Sequence, residues 1–148
     1  MDDAALVALF AGSAGCPYPG EWQAAPLAER SVDGVPHAIV ALDPGISALG
    51  VRRDDGSLWI LPDEDQPDLV NSSVEAFVAF THEYAKADAE AQAYESDEAD
   101  EADEAEQAAD RFTDALLARF RERDAPAVAD ENSFWSIAAE ELGYGISV

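Results

Sequence analysis

Apolar and polar residues follow two different periods along the chain, and the two periods occupy different halves. Glycine and proline predict a loop over residues 11–31, after a short helix at residues 2–10. Three short apolar runs then have the length and composition of strands, and they cover residues 35–42, 46–53 and 57–61. Asp55-Gly56 between the last two runs is a strong hairpin signal. The middle of the chain is therefore predicted to be an antiparallel meander.

Helical periodicity begins after an acidic loop at residues 62–67. Apolar residues recur every three or four positions from Val74 to Tyr84, and Ser72-x-x-Glu75 has the spacing of a capping box. Asn71 or Ser72 is therefore predicted to cap a helix that runs from about residue 73.

Two more amphipathic helices are predicted, over residues 111–123 and 133–142. The first has Phe112, Leu116 and Phe120 on one face. The second should bury Trp135, Ile137, Ala138 and Leu142, and Gly143 should end it. Because strands and helices are segregated along the chain, the sequence predicts an α+β fold in one domain over residues 1–148. Its antiparallel sheet should pack against the helices.

Residues 88–110 form an acidic insertion with 11 acidic and no basic residues. The triplet Asp-Glu-Ala occurs three times in succession from Asp97 to Ala105. Alanine and glutamate favour a helix, whereas like charges at i,i+4 oppose it. The segment is predicted to be a solvated helical extension or a partly disordered insertion.

Charge restricts the choice of partners. The 148 residues include 32 acidic and 8 basic ones, which gives a net charge of -24. Such a surface repels nucleic acid and anionic membranes and attracts cationic proteins, although solubility alone is an alternative explanation. Cys16 is the only cysteine and the N-terminus lacks the basic region of an export signal, so we expect a cytoplasmic protein, with a monomer favoured.

No group of residues specifies a reaction. His37 lies in a predicted strand and His82 in a predicted helix, and neither belongs to a metal-ligand motif. Neither a phosphate-binding glycine loop nor a nucleophile motif is present. We therefore predict no catalytic residues, no cofactor and no metal.

A binding role remains, and its candidates are exposed acids and loop aromatics. Tyr18 and Trp22 lie in the first loop, where either could pack on the core or be exposed to a partner. The partner-binding candidates are Asp54, Asp55, Asp63, Glu64, Asp65, Asp97, Glu98, Asp100, Glu101, Asp103, Glu104, Trp22 and Tyr18.

Residues 38–84 resemble the central block of SUKH-type immunity proteins, especially the fourth subgroup. The resemblance rests on Arg52-Arg53-Asp54-Asp55-Gly56, on Trp59, and on the helix start Asn71-Ser72-Ser73-Val74-Glu75-Ala76-Phe77. The tail Phe134-Trp135 to Glu140-Glu141-Leu142 is similar to the closing helix of members encoded beside nucleic-acid deaminase and nuclease toxins.

The resemblance implies a non-catalytic domain of a bacterial polymorphic toxin system that binds and inhibits a cognate toxin. With the acidity of the chain, it predicts a basic, nucleic-acid-targeting toxin whose active site is blocked. An acidic chaperone or adaptor for a secreted effector is the alternative.

Overall fold

The computed structural model describes residues 2–15, 17–96 and 102–147. Within them the chain forms one α+β domain, in which a six-stranded antiparallel sheet packs against helices, as predicted. The elements in chain order are α1 (Asp3–Ala11), β1 (Glu21–Trp22), β2 (Glu29–Val32), β3 (Val35–Asp43), β4 (Ser47–Arg52), β5 (Leu58–Pro62), β6 (Asp68–Asn71), α2 (Val74–Ser96), α3 (Ala102–Arg123) and α4 (Phe134–Ser147). A short 3-10 helix, Ala125–Val128, joins α3 to α4.

The predicted meander is confirmed as the centre of the sheet. The strand order is β1-β3-β4-β5-β6. β2 also pairs with β3, at residues 35–38, whereas β1 pairs with residues 41–42 of β3. Gly56 has a φ of 76° in the β4–β5 turn, a conformation that glycine adopts without steric cost. The hairpin at Asp55-Gly56 is therefore confirmed.

The prediction of a loop throughout residues 11–31 is wrong, because β1 and most of β2 lie in this segment. Asp33 and Gly34 join β2 to β3 with φ values of 51° and 80°, as a two-residue hairpin turn requires. This Asp-Gly pair was a local signal for the missed strand. β6 was missed too, because its four residues pair with β5 after a loop without a turn motif.

The helices cover one face of the sheet. Leu49 and Val51 of β4 point into the main core, whereas Ala48 lies on the opposite face with Ile39 and Leu61. Aromatic rings fill the centre of the main core, where they contact one another in tilted, edge-on or stacked geometry; they belong to Phe77, Phe80, Phe120 and Trp135. The buried positions predicted for α2 and α3 are confirmed at Phe77, Phe112, Leu116 and Phe120.

A buried polar network joins the end of the sheet to the C-terminal helices. Asp124 accepts hydrogen bonds from Asn71 Nδ2 at 3.1 Å, from the Ser72 amide at 2.7 Å and from Ser72 Oγ at 2.7 Å. Asn71 Oδ1 accepts from Trp135 Nε1 at 2.7 Å. The network satisfies polar groups that would otherwise be costly to bury.

This network corrects the predicted cap of α2. Asn71 and Ser72 bind Asp124, and the cap is Ser73, whose Oγ accepts from the Ala76 amide at 3.1 Å. The prediction of Asn71 or Ser72 as the cap is therefore wrong by one residue. The Asp124 carboxylate, 52 residues away, competes successfully for the Ser72 hydroxyl.

Helix α4 agrees with the prediction in part. Trp135 and Ala138 are buried as expected, but Ile137 is 41% exposed. Gly143 does not end the helix, which continues to Ser147. A Cβ at Gly143 would collide with Thr113 Oγ1 and would lie 3.0 Å from the Ala109 carbonyl oxygen, so this glycine allows α3 and α4 to approach closely.

The acidic insertion is helical wherever it is described. α2 extends to Ser96 and α3 begins at Ala102, which agrees with the helical alternative on both sides. The insertion is less solvated than predicted, because Ala91 and Ala109 are buried. Residues 97–101 lie outside the described residues.

Candidate partner-binding surfaces

The β4–β5 turn presents two of the predicted acids, and an arginine partly neutralises both. Asp54 and Asp55 are exposed, and Arg52 Nε lies 2.7 Å from Asp54 Oδ1. Hydrogen bonds from the Ser57 hydroxyl and amide hold the pKa of Asp55 below its usual range, with a smaller contribution from the Arg52 charge. The turn therefore has fixed carboxylates whose two negative charges are offset by one positive charge, that of Arg52.

A second arginine anchors this turn to the N-terminal helix. Arg53 donates to Asp3 Oδ1 at 2.8 Å and to Glu29 Oε1 at 2.9 Å, while Asp3 Oδ2 accepts from the Leu27 amide at 2.8 Å. The Arg53 hydrogen bond is the main reason that the pKa of Asp3 lies below its usual range, and the Leu27 amide adds to it. The turn acids are thus presented on a rigid support.

The acidic loop at residues 62–67 lies at the other end of the sheet. Asp63, Glu64 and Asp65 are exposed, and the Asp63 amide donates to Ile46 O at 3.0 Å beside the β3–β4 turn. The five residues of β5 separate this loop from the β4–β5 turn, by about 17 Å at the usual rise of a strand. Arg30 Nη2 approaches Asp63 only to 4.0 Å, so ion pairs with the residues that the structure describes leave most of the loop's negative charge uncompensated.

The two loop aromatics have different environments. Tyr18 is 8% exposed and its hydroxyl hydrogen-bonds to Ser47 Oγ at 2.9 Å, so of its two alternatives the structure shows the buried one. Burial raises the pKa of Tyr18 above its ordinary value. Trp22 is 45% exposed and packs against Phe10, with ring centroids 5.3 Å apart. Trp22 lies opposite Ala41, at the same end of the sheet as the acidic loop.

A further acidic surface, along α3 and α4, was not singled out from the sequence. Glu106, Asp110 and Asp114 follow each other at i,i+4 along α3, and Glu140 of α4 faces them across an open groove of about 660 Å³. Leu117 and Tyr144 add apolar surface to this groove. The helical spacing of the three α3 acids was visible in the sequence, but their pairing with α4 was not.

Other sequence candidates have structural partners or are not described. His37 Nδ1 is within hydrogen-bond distance of Val35 O, and His82 Nε2 of Gly12 O. Among the described residues, no group of three or more His, Cys, Asp or Glu residues is placed to hold a metal ion. Cys16 lies outside the described residues, and so does the Asp-Glu-Ala repeat from Asp97 to Glu101. Asp103 and Glu104 lie in the first turn of α3. None of the helices described is long and apolar enough to cross a bilayer.

Fold and surfaces together define the class: a small α+β protein with rigidly supported acidic surfaces. The family model of SUKH-4 immunity proteins matches residues 11–141 of the sequence, and the chain belongs to this family. Membership confirms the resemblance seen in the sequence and implies a toxin-neutralising immunity function with a cognate toxin as partner. No curated protein and no solved structure matches the chain.

Proposed function

We propose that this protein neutralises a basic, nucleic-acid-directed toxin, a nuclease or a deaminase, by occupying its cationic substrate face. The observation that carries the proposal is the net charge of -24 in a member of an immunity family. A toxin that binds a phosphate backbone needs Lys and Arg around its active site. A carboxylate-rich surface complements that site and excludes the nucleic acid. The protein would act as a monomer in the cytoplasm.

The acids differ in how strongly they would attract such a toxin. In the β4–β5 turn, Asp54 and Asp55 share their charge with Arg52, whereas Glu64 and Asp65 have no ion pair within the described part of the chain. Exposed charges act mainly on the association rate and its salt dependence. We therefore expect the loop acids to accelerate association more than the turn acids. We also expect both to exceed the acidic repeat, because the turn and the loop are anchored to the sheet, which presents their charge at low entropic cost.

Trp22 supports the proposal as a contact that would slow dissociation. Its indole packs against Phe10 and Phe77, and almost half of the residue's surface is exposed. An anchored aromatic side chain with an exposed side is typical of a binding hot spot. Tyr18 is no longer a candidate anchor, because its side chain is buried and its hydroxyl is bonded to Ser47.

The experiment uses the product of the neighbouring gene as the toxin. Co-expression should restore growth, and association should be measured at low and moderate salt for wild type and for three neutralised sets. The sets replace Asp by Asn and Glu by Gln in the turn (Asp54, Asp55), the loop (Asp63, Glu64, Asp65) and the repeat (Asp97, Glu98, Asp100, Glu101, Asp103, Glu104). The matched control is Glu90→Gln, Glu122→Gln and Glu131→Gln, three exposed acids that line neither the turn nor the loop.

We expect the loop set to slow association by about tenfold at low salt and the control set by less than about twofold. Trp22→Ala should leave association unchanged and accelerate dissociation. Electrostatic masking is wrong if wild-type association is indifferent to salt and no neutralised set slows it.

A further inference from the structure

The groove between α3 and α4 has the composition of a binding site for a cationic helix. Four exposed carboxylates border it, from Glu106, Asp110, Asp114 and Glu140, and its described lining includes no Lys or Arg. Leu117 is partly exposed along the groove, and Tyr144 beside Glu140 is 71% exposed. Acids and apolar side chains that line one groove complement an amphipathic helix whose polar face is basic.

The spacing of the acids along α3 does not favour the stability of the helix. Glu106, Asp110 and Asp114 are like charges at i,i+4, an arrangement that destabilises a helix. Within the described residues, no ion pair compensates them, whereas Arg119 and Arg123 on another face of α3 approach Glu83 of α2 at 3.8 and 3.1 Å. Local conflicts of this kind are expected where a surface serves binding.

The width of the groove depends on a close approach of the two helices. Gly143 lies against Thr113 and the Ala109 carbonyl, so the backbones of α3 and α4 are fixed relative to each other. The backbones that carry the carboxylates are therefore positioned before a partner arrives, which lowers the entropic cost of binding. The volume of about 660 Å³ accommodates several side chains of one helix face.

We propose that this groove is the docking site for a cationic amphipathic helix of the toxin. The proposal rests on the proposed function and names the element of the partner that the immunity protein holds. Lys or Arg side chains of the helix pair with the groove acids, and its apolar side chains pack on Leu117 and Tyr144. The acids should set the association rate and Tyr144 the dissociation rate.

The test uses two probes with the full-length protein. One is a fluorescein-labelled helical peptide with leucine on one face and lysine on the other, with a glutamate-for-lysine peptide as its control. The other is the product of the neighbouring gene. The groove variant is Asp110→Asn, Asp114→Asn and Glu140→Gln, and the control variant is Glu90→Gln, Glu122→Gln and Glu131→Gln. Both variants remove three charges from exposed positions, so general attraction falls equally in both.

We expect the groove variant to weaken binding of the lysine peptide by about tenfold and the control variant by less than about twofold. Tyr144→Ala should accelerate dissociation by about tenfold and leave the association rate unchanged. Equal losses in the groove and control variants would overturn the proposal. So would amide chemical-shift changes on titrating wild type with the lysine peptide that map away from α3 and α4, a readout that needs no variant.

The toxin separates this inference from the proposed function. If wild type does not restore growth beside the neighbouring gene product, the proposed function fails, while the peptide result still decides whether the groove takes a cationic helix. If wild type restores growth and the groove variant binds the toxin as tightly as wild type does, the groove inference alone is wrong.

Discussion

The indole Nε1 of Trp135 donates to Asn71 Oδ1 at 2.7 Å in the core of the protein, where both side chains are completely buried. These two residues belong to the two separate motifs that carry the family resemblance, Asn71-Ser72-Ser73 and Phe134-Trp135. Asp124 completes the contact by accepting from Asn71 and Ser72. The two motifs thus contribute to one buried network and have a structural role. The residues that bind the partner must therefore be sought on the surface.

Replacing Asn71 by alanine should lower the free energy of unfolding by about 2–4 kcal/mol. The change leaves the Trp135 N–H without its acceptor and removes one donor from Asp124, both in the core. Urea denaturation followed by tryptophan fluorescence measures the effect. Asn132→Ala, at an exposed asparagine, is the matched control and should change stability by less than about 0.5 kcal/mol. Equal effects at the two positions would show that the network adds nothing.

Ser73→Ala should destabilise the protein by about 0.5–2 kcal/mol, because the Ala76 amide loses its cap. Ser73→Asp should retain most of the stability, since a carboxylate can accept the same bond and suits the helix dipole. Thermal unfolding followed by circular dichroism compares the variants. A neutral Ser73→Ala together with a costly Glu75→Ala would instead favour the capping box that begins at Ser72.

Gly143→Ala should destabilise the protein by about 1–3 kcal/mol, although alanine is the better helix former. The added Cβ meets Thr113 Oγ1 and the Ala109 carbonyl. Thr113→Ala in the same chain should recover part of the loss, because it removes the hydroxyl but leaves the carbonyl in place. A double-mutant cycle on chemical denaturation gives the coupling, and strictly additive effects would contradict the close approach of α3 and α4.

The contact between Asp3 and Arg53 should make stability fall in acid. The pKa of Asp3 is lower in the folded protein than its usual unfolded value of about 3.9, mainly because Arg53 donates to its carboxylate. Its contribution is therefore fully present above that unfolded value and is lost as pH falls through the lower folded value. Asp3→Asn and Arg53→Met should each flatten the dependence of the unfolding free energy on pH below about 4. A slope identical to that of wild type in both variants would contradict the assignment.

Local patterns determined much of the fold. The short apolar runs and Asp55-Gly56 predicted the central strands, because alternation and positive φ are properties of neighbouring residues. The spacing of Phe112, Leu116 and Phe120 predicted the buried face of α3 for the same reason. The acidic loop at Asp63 to Asp65 was likewise visible as an exposed segment between two apolar runs.

The sequence by itself determined the fold class, the central strands, the helices and the net charge of -24. Tertiary structure decided the roles of three other residues. Ser72 binds Asp124 and does not cap the helix. Gly143 must be small because Thr113 lies against it, and Tyr18 is buried, with its hydroxyl bonded to Ser47. Tertiary structure also decided which acids face each other, since Asp114 and Glu140 become walls of one groove only when α3 and α4 pack. Each of these outcomes depends on a contact between residues more than 25 positions apart, and a periodic pattern within one segment carries no information about such contacts.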